Sequence, residues 1–214
     1  RPAAGAVTAT GRERLRLVAC VAAMAIASGV PLHAGARASR LLGDDAFITL
    51  TVARSLARGD GFGYRGGDVL ATTSPLLAMV IGGACRAVPG ADPADLAVWI
   101  GALTWMATGW GVFGARRALG LGLWPASAIG VVILCAGWTR YLGMEAHPFS
   151  LLLVLSVVFA AAGRPVAAGL SAGLCALTRG EGLLLMPLLV PAVRMRACGN
   201  PGLGAPAARR LPRT

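Results

Sequence analysis

Leu96-Ala97-Val98-Trp99-Ile100-Gly101-Ala102-Leu103-Thr104-Trp105-Met106-Ala107-Thr108-Gly109-Trp110-Gly111-Val112-Phe113-Gly114-Ala115 is a run of 20 residues without a charge, closed by Arg116 and Arg117. About 20 apolar residues in a helix match the thickness of a hydrocarbon core, so this stretch predicts a membrane helix. Two further uncharged runs repeat the pattern, the 21 residues from Leu119 to Thr139 and the 18 from Ala146 to Gly163. A fourth, the 18 residues from Leu17 to Ala34, stands behind Arg12, Arg14 and Arg16. Small residues at Ala34, Gly35, Ala36 and Ala38 also fit a cleaved signal peptide there; the spans that follow favour a first membrane helix instead.

Composition agrees with this reading. The 214 residues are 56% hydrophobic and 14% charged, with a mean hydropathy of +0.69, whereas soluble domains carry roughly 25% charge. A cytosolic globule is excluded, and so is a disordered chain, which stays unfolded through too little apolar content. All 20 basic residues are Arg; against nine acids they leave a formal charge of +11. Taken as a global property, that charge would suggest nucleic acid.

Three shorter apolar runs decide the topology. Leu76 to Cys85 has ten residues, about half a crossing, and reads as interfacial or re-entrant. Pro165 to Thr178 and Gly182 to Val193 have 14 and 12 residues, separated by Arg179-Gly180-Glu181. Positive residues near span ends collect on the cytoplasmic side. With the N-terminus inside, the 76–85 run not crossing and the last two runs each crossing, there are six spans. Twelve arginines then face the cytoplasm against Glu13 alone, while the outer segments hold eight arginines and eight acids. Letting 76–85 cross would move Arg116 and Arg117 outside; merging the last runs would move the five-Arg tail outside. The expectation is an all-α, polytopic membrane domain over residues 1–193, both ends cytoplasmic, with a disordered basic tail over 194–214. The excess charge is then a topology signal and implies no nucleic-acid partner. The five cysteines lie mostly in apolar runs without a CxxC pair, and read as small buried hydrophobes.

Most of the acids fall on the outer face, the largest group between His33 and Ser74. Asp44-Asp45-Ala46-Phe47-Ile48 opens this loop. Asp44 is placed as an N-cap; Phe47, Leu50, Ala53 and Ala57 recur at helical spacing, and Gly59 is a stop. The spacing predicts an amphipathic helix along the outer membrane surface. A turn-rich stretch from Gly59 to Asp68 follows, and then Thr72-Thr73-Ser74-Pro75 starts the half-length apolar run.

Asp44 to Ile48, Ala53-Arg54, Gly61-Phe62, Tyr64 and Val69 to Leu76 resemble the first external loop of bacterial GT-C fold glycosyltransferases. These integral-membrane enzymes draw sugars from polyprenyl-phosphate carriers and include protein mannosyltransferases and the aminoarabinose and arabinofuranose transferases. Gly143-Met144-Glu145-Ala146 and Ala176-Leu177-Thr178-Arg179-Gly180-Glu181-Gly182-Leu183 extend the resemblance; the latter stands where such proteins often read Leu-Thr-Arg-Pro-Glu-Gly. It covers roughly residues 15–193. It implies a polyprenyl-phosphate sugar donor, membrane lipids as surroundings and an envelope glycan, lipid or protein as acceptor, at the outer face of the bacterial cell membrane. No cofactor is implied with certainty; a divalent cation is an option.

The resemblance puts the catalytic base in the Asp44-Asp45 pair, without ranking the two; the alternative is that both cap a helix and favour its positive end. Arg54, Arg58, Arg65 and Arg179 are candidates for the donor phosphate, because guanidinium offers permanent, bidentate phosphate recognition. The alternatives are lipid headgroups for Arg54 and Arg58, and a structural ion pair for Arg179 with Glu181. Glu145, Glu181, Thr73 and Ser74 are assigned to substrate binding, Glu145 with a solvated turn as its alternative. Relatives of this kind continue with further spans, so the second reading of the chain is a truncated, non-catalytic subunit or remnant. A transporter fits less well, since the long spans lack buried charge.

Overall fold

The computed structural model describes residues 4–38, 42–63, 72–136, 141–184 and 187. Their regular structure is helical throughout, with no strand among the described residues. Eight α-helices follow in order: α1 (Ala4–Ala27), α2 (Gly29–Ala38), α3 (Asp44–Arg58), α4 (Pro75–Ala87), α5 (Pro93–Gly114), α6 (Leu123–Cys135), α7 (Ala146–Ala161) and α8 (Pro165–Thr178). A short 3₁₀ segment, Gly180–Leu184, closes the described chain.

Two helical stretches are long and apolar enough to cross a membrane, Gly11–Arg37 and Pro93–Gly114. The first is bent where α1 passes into α2. Pro31 lacks an N–H and its ring conflicts with the carbonyl one turn earlier, at Ala27, which breaks the ladder there. Ser28, just ahead of the break, turns its hydroxyl back on the helix, donating to Met24 O at 2.8 Å beside its own N–H at 2.9 Å. Helices α4, α6, α7 and α8 are apolar but shorter. The uncharged run from Leu119 to Thr139 overstates its helix, because a turn through Gly120, with φ of 69°, occupies its start and α6 begins only at Leu123. The expected helices over 146–163 and 165–178 appear nearly as drawn. Of the run from Gly182 to Val193, the start is 3₁₀ helix, and all but Pro187 of the rest lies outside the described residues, as does the basic tail over 194–214.

Helix α5 is the ruler of the fold. Its N-terminus is set by Asp92, whose carboxylate accepts from Ala94 N at 2.9 Å, with Pro93 in the first turn. Its first third packs with α3 and α4 in a core of Leu50, Ala53, Leu77, Ile81 and Ala97. Its middle carries Val98, Ala102 and Trp105 against Leu142. Its last third meets Cys20, Met24 and Ala27 of α1 and Ala126 and Leu134 of α6 through Phe113. Helices α1–α2 and α6 run antiparallel to α5. Trp110 Nε1 donates to Ser28 Oγ at 2.9 Å, while Gly35 lies against Ala102 and Trp99. Trp105 Nε1 donates to Ile133 O at 2.6 Å, and Gly109 lies against Gly130 and Leu134.

On α8, and on α6 apart from the buried Leu134, the packed face is made mainly of small residues and the outward face of large ones. On α8, Ala168, Ser171, Ala172, Cys175 and Thr178 are buried, while Val166, Leu170, Leu174 and Leu177 are exposed. On α6, Ala126, Ser127 and Gly130 are buried while Ile129 and Val132 face outwards. Small residues inside and branched apolar ones outside is the pattern of helices that associate in lipid.

Candidate functional site

The site is built where the start of α7 meets the end of α8, with the turn before α7 touching the residue two ahead of α3. Helix α7 does not begin level with α5. Leu142 and Gly143, just ahead of it, press on Gly101, and His147 stacks on Trp105 with ring centroids 5.1 Å apart. Between Pro93 and Gly101 the helix rises about 12 Å, so the turn before α7 sits partway down the flank of α5. Helix α8 returns antiparallel to α7, with Cys175 Sγ 3.7 Å from Phe149 O. Its end therefore reaches the same level as the start of α7.

That register brings two separate stretches of sequence together. Arg179, the residue after α8, places its guanidinium between two carboxylates. One terminal nitrogen, Nη1, lies 3.3 Å from Glu145 Oε1. The opposite edge donates to Glu181, Nη2 to Oε1 at 3.1 Å and Nε to Oε2 at 3.4 Å. The Glu145 side chain is nearly enclosed, at 13% exposure, while Glu181 is open at 60%. Bonding and charge act in concert here. The hydrogen bond to Glu181 raises the Arg179 pKa above its ordinary value, against some desolvation, with both carboxylates adding to the rise. The reciprocal bond from Arg179 holds the Glu181 carboxyl below the usual glutamate value.

Asp44 and Asp45 open α3, and none of the contacts of this group involves them. The N-cap of α3 is Gly43, with φ of −69° and ψ of 158°, and Asp44 is its first helical residue rather than its cap. The Gly43 carbonyl takes the first N–H, from Ala46 at 3.0 Å, which sets the helix start one residue early. Both carboxylates are exposed in the first turn, where the helix dipole favours negative charge. Among the described residues, neither has a hydrogen-bond or ion-pair partner. The start of α3 is seated by Leu42, whose side chain packs on Gly143 in the left-handed turn at φ of 82°. Asp44 and Glu145 each lie two residues from that contact, at most about 7 Å of chain. Neither Leu42 nor Gly143 was singled out as a seat by the sequence reading; the glycine was visible, its partner was not.

The remaining candidates are dispersed. Arg54 is exposed on α3, and Arg58 pairs with Asp60 at 3.5 Å in the turn that follows. Gly59 ends the helix as expected, in the left-handed region, its N–H on Leu56 O. The buried face of α3 is Ala46, Thr49, Leu50, Val52, Ala53 and Ser55, so of the apolar residues at helical spacing Leu50 and Ala53 are packed inside and Phe47 is half exposed. Arg65 lies outside the described residues. Thr73 is exposed, whereas Ser74 is fully buried with its hydroxyl unpaired, and its N–H donates to Thr72 Oγ1 at 3.1 Å. Thr72 in turn lies 3.4 Å from Thr49 of α3, tying the start of α4 to α3. Among the described residues no three acidic, histidine or cysteine side chains are grouped to hold a metal ion.

Below the Glu145 turn, a cavity of about 240 Å³ opens between α5, α6 and α7, lined by Trp105, Thr108, Ile133, His147, Ser150 and Leu153 among others. Its walls are mostly apolar, and the Thr108 and Ser150 hydroxyls are spent on their own helices. Compared with family profiles, curated proteins and solved structures, the chain finds no match.

Proposed function

We propose that the chain is the membrane module of a glycosyltransferase that moves a sugar from a polyprenyl-phosphate carrier to an acceptor hydroxyl on the outer face of the membrane. The observation that carries the reading is the joining of Glu145, Arg179 and Glu181, from two stretches of the motif resemblance far apart in sequence. Six spans with both ends inside remain the preferred topology. Two long apolar helices support it, as does the small-inside, large-outside pattern on α6 and α8, whose helices are shorter than a full crossing.

In this mechanism one carboxylate of the Asp44-Asp45 pair takes the proton of the acceptor hydroxyl as its oxygen attacks C1 of the sugar. The C1–O bond to phosphate breaks with inversion, and the electron pair leaves on the phosphate oxygen. Arg179 receives that developing charge through its planar N–H edge. Glu145 holds the guanidinium from the protected side. Their exposure, and the lack of a competing partner among the described residues, suit Asp44 and Asp45 to an incoming acceptor.

The test is transfer by the Asp44→Asn, Asp45→Asn and double variants in a host lacking the native activity, with envelope glycolipid as the readout. One single variant is expected to lose transfer by about 100-fold or more, the usual worth of a positioned general base. Full restoration by the double variant would overturn the assignment. Reporter fusions after Ala115, Gly143 and Arg196 test the topology; an external signal after Arg196 would refute six spans.

A further inference from the structure

We propose that Glu181 is a displaceable stand-in for the carrier phosphate, occupying the edge of Arg179 that receives it and yielding only to an anion that binds that edge better. The proposal rests on the reading of Arg179 as the phosphate contact. Three observations carry it. Glu181 takes the guanidinium side-on through Nε and Nη2, the two-point geometry that guanidinium also offers to phosphate. Glu145 meets the other nitrogen, Nη1, end-on, so the two carboxylates are not equivalent. Their surroundings differ as well, with Glu145 nearly enclosed and Glu181 mostly in solvent on a five-residue 3₁₀ segment.

The charges explain why an exchange is needed. One guanidinium between two carboxylates carries a net charge of −1, which repels any further anion. Once Glu181 leaves, Arg179 and Glu145 form a neutral pair with a free donor edge. Departure costs little, because an exposed carboxylate regains its water and exposed pairs are worth little to begin with. Glu145, with far less of its side chain in solvent, stays and keeps the guanidinium aimed. The empty site is thereby closed to weak anions, and the phosphate is admitted by swapping one bidentate partner for another.

Binding, not turnover, is the measurement. The full chain is reconstituted in phosphatidylcholine nanodiscs and titrated with a polyprenyl monophosphate or with the neutral polyprenol of equal length, bound lipid being counted by native mass spectrometry. Glu181→Gln is expected to bind the monophosphate about two- to five-fold more tightly than the parent, the span that an exposed ion pair allows. Glu145→Gln is expected to bind it more weakly, and polyprenol binding is expected to be the same for all. Unchanged or weaker binding by Glu181→Gln, while Arg179→Lys and Arg179→Gln lose affinity, would overturn the stand-in and leave Arg179 as the phosphate contact. Parent-like binding by both Arg179 variants, or equal binding of monophosphate and polyprenol, would overturn the phosphate contact itself. Monodisperse elution of each variant is required before titration, and the two Arg179 substitutions guard against one that fails to fold.

Discussion

Helices α5 and α7 lead in the same direction through the molecule and neither carries an internal charge past its first turn, yet they begin at different heights. Helix α5 has 22 residues and α7 has 16. The turn before α7 lies against Gly101, near the middle of α5, and α8 ends beside it. Charged residues at the end of a helix are ordinarily surface residues. Here the inequality of two helices carries Glu145 and Arg179 down the flank of a third, while leaving every long run free of charge. Helix register, more than hydropathy, makes the site.

The comparison breaks most severely at Gly143, which fixes the height of the turn. Its φ of 82° is strained for any side chain, and a Cβ there would strike Leu42. Gly143→Ala is expected to cost about 2–4 kcal/mol, combining left-handed strain with overpacking. Thermal unfolding in detergent reads the loss, and cleavage by a protease at the start of α3 should rise with it. Gly109→Ala acts on the lower half alone. Its Cβ would meet Leu134 at 2.9 Å and Gly130 O at 3.1 Å, for an expected cost of about 1–3 kcal/mol with the α3 start still protected. Loss of protection there as well would mean that the two halves are not separate.

Smaller effects sharpen the site. Arg179→Met leaves the enclosed Glu145 carboxylate without its cation, for an expected cost of about 1–2 kcal/mol by the same unfolding measurement; no change would show that Glu145 is solvated. The pH dependence is smaller still. Glu181 titrates below its ordinary value of 4.5 because Arg179 bonds its ionised form. The contact is thus complete above that ordinary value and is lost as pH falls through the depressed one. Carboxyl NMR should find the Glu181 midpoint below 4.5 in the parent and moved upward in Arg179→Met.

Much of this was legible in the sequence, for a physical reason: charge and proline mark helix ends wherever the chain has them. Arg164-Pro165 and Arg179 bracket α8, Glu145 and Gly163 bracket α7, and Gly59 stops α3 because it alone accepts the left-handed turn. The misjudged places lack such marks. No charge separates the 115–122 turn from α6 beyond Arg117, so counting uncharged residues ran the helix back through Gly120. Thr49 carries no mark in the hydrophobic pattern either, yet it is buried across from Thr72. The level of the 141–145 turn could not be read at all, since it follows from which glycine on one helix meets which on another. Glu145, Arg179 and Glu181 were each singled out, Arg179 with Glu181 as a pair; that Glu145 joins them is information of the packing.

The close approach of Gly109 and Gly130 has one further consequence. With the Met24 side chain pressed on Gly130 from the third side, α5 and α6 meet almost backbone to backbone at this point and α1 closes the contact, so a local opening of one helix exposes the others. Such a contact yields all at once or not at all. Amide hydrogens of those three helices should therefore exchange as one slow cooperative unit, while those of α3 and α4, joined to α5 at one end only, exchange earlier and independently. The helix start that carries Asp44 and Asp45 would then breathe on a rigid base.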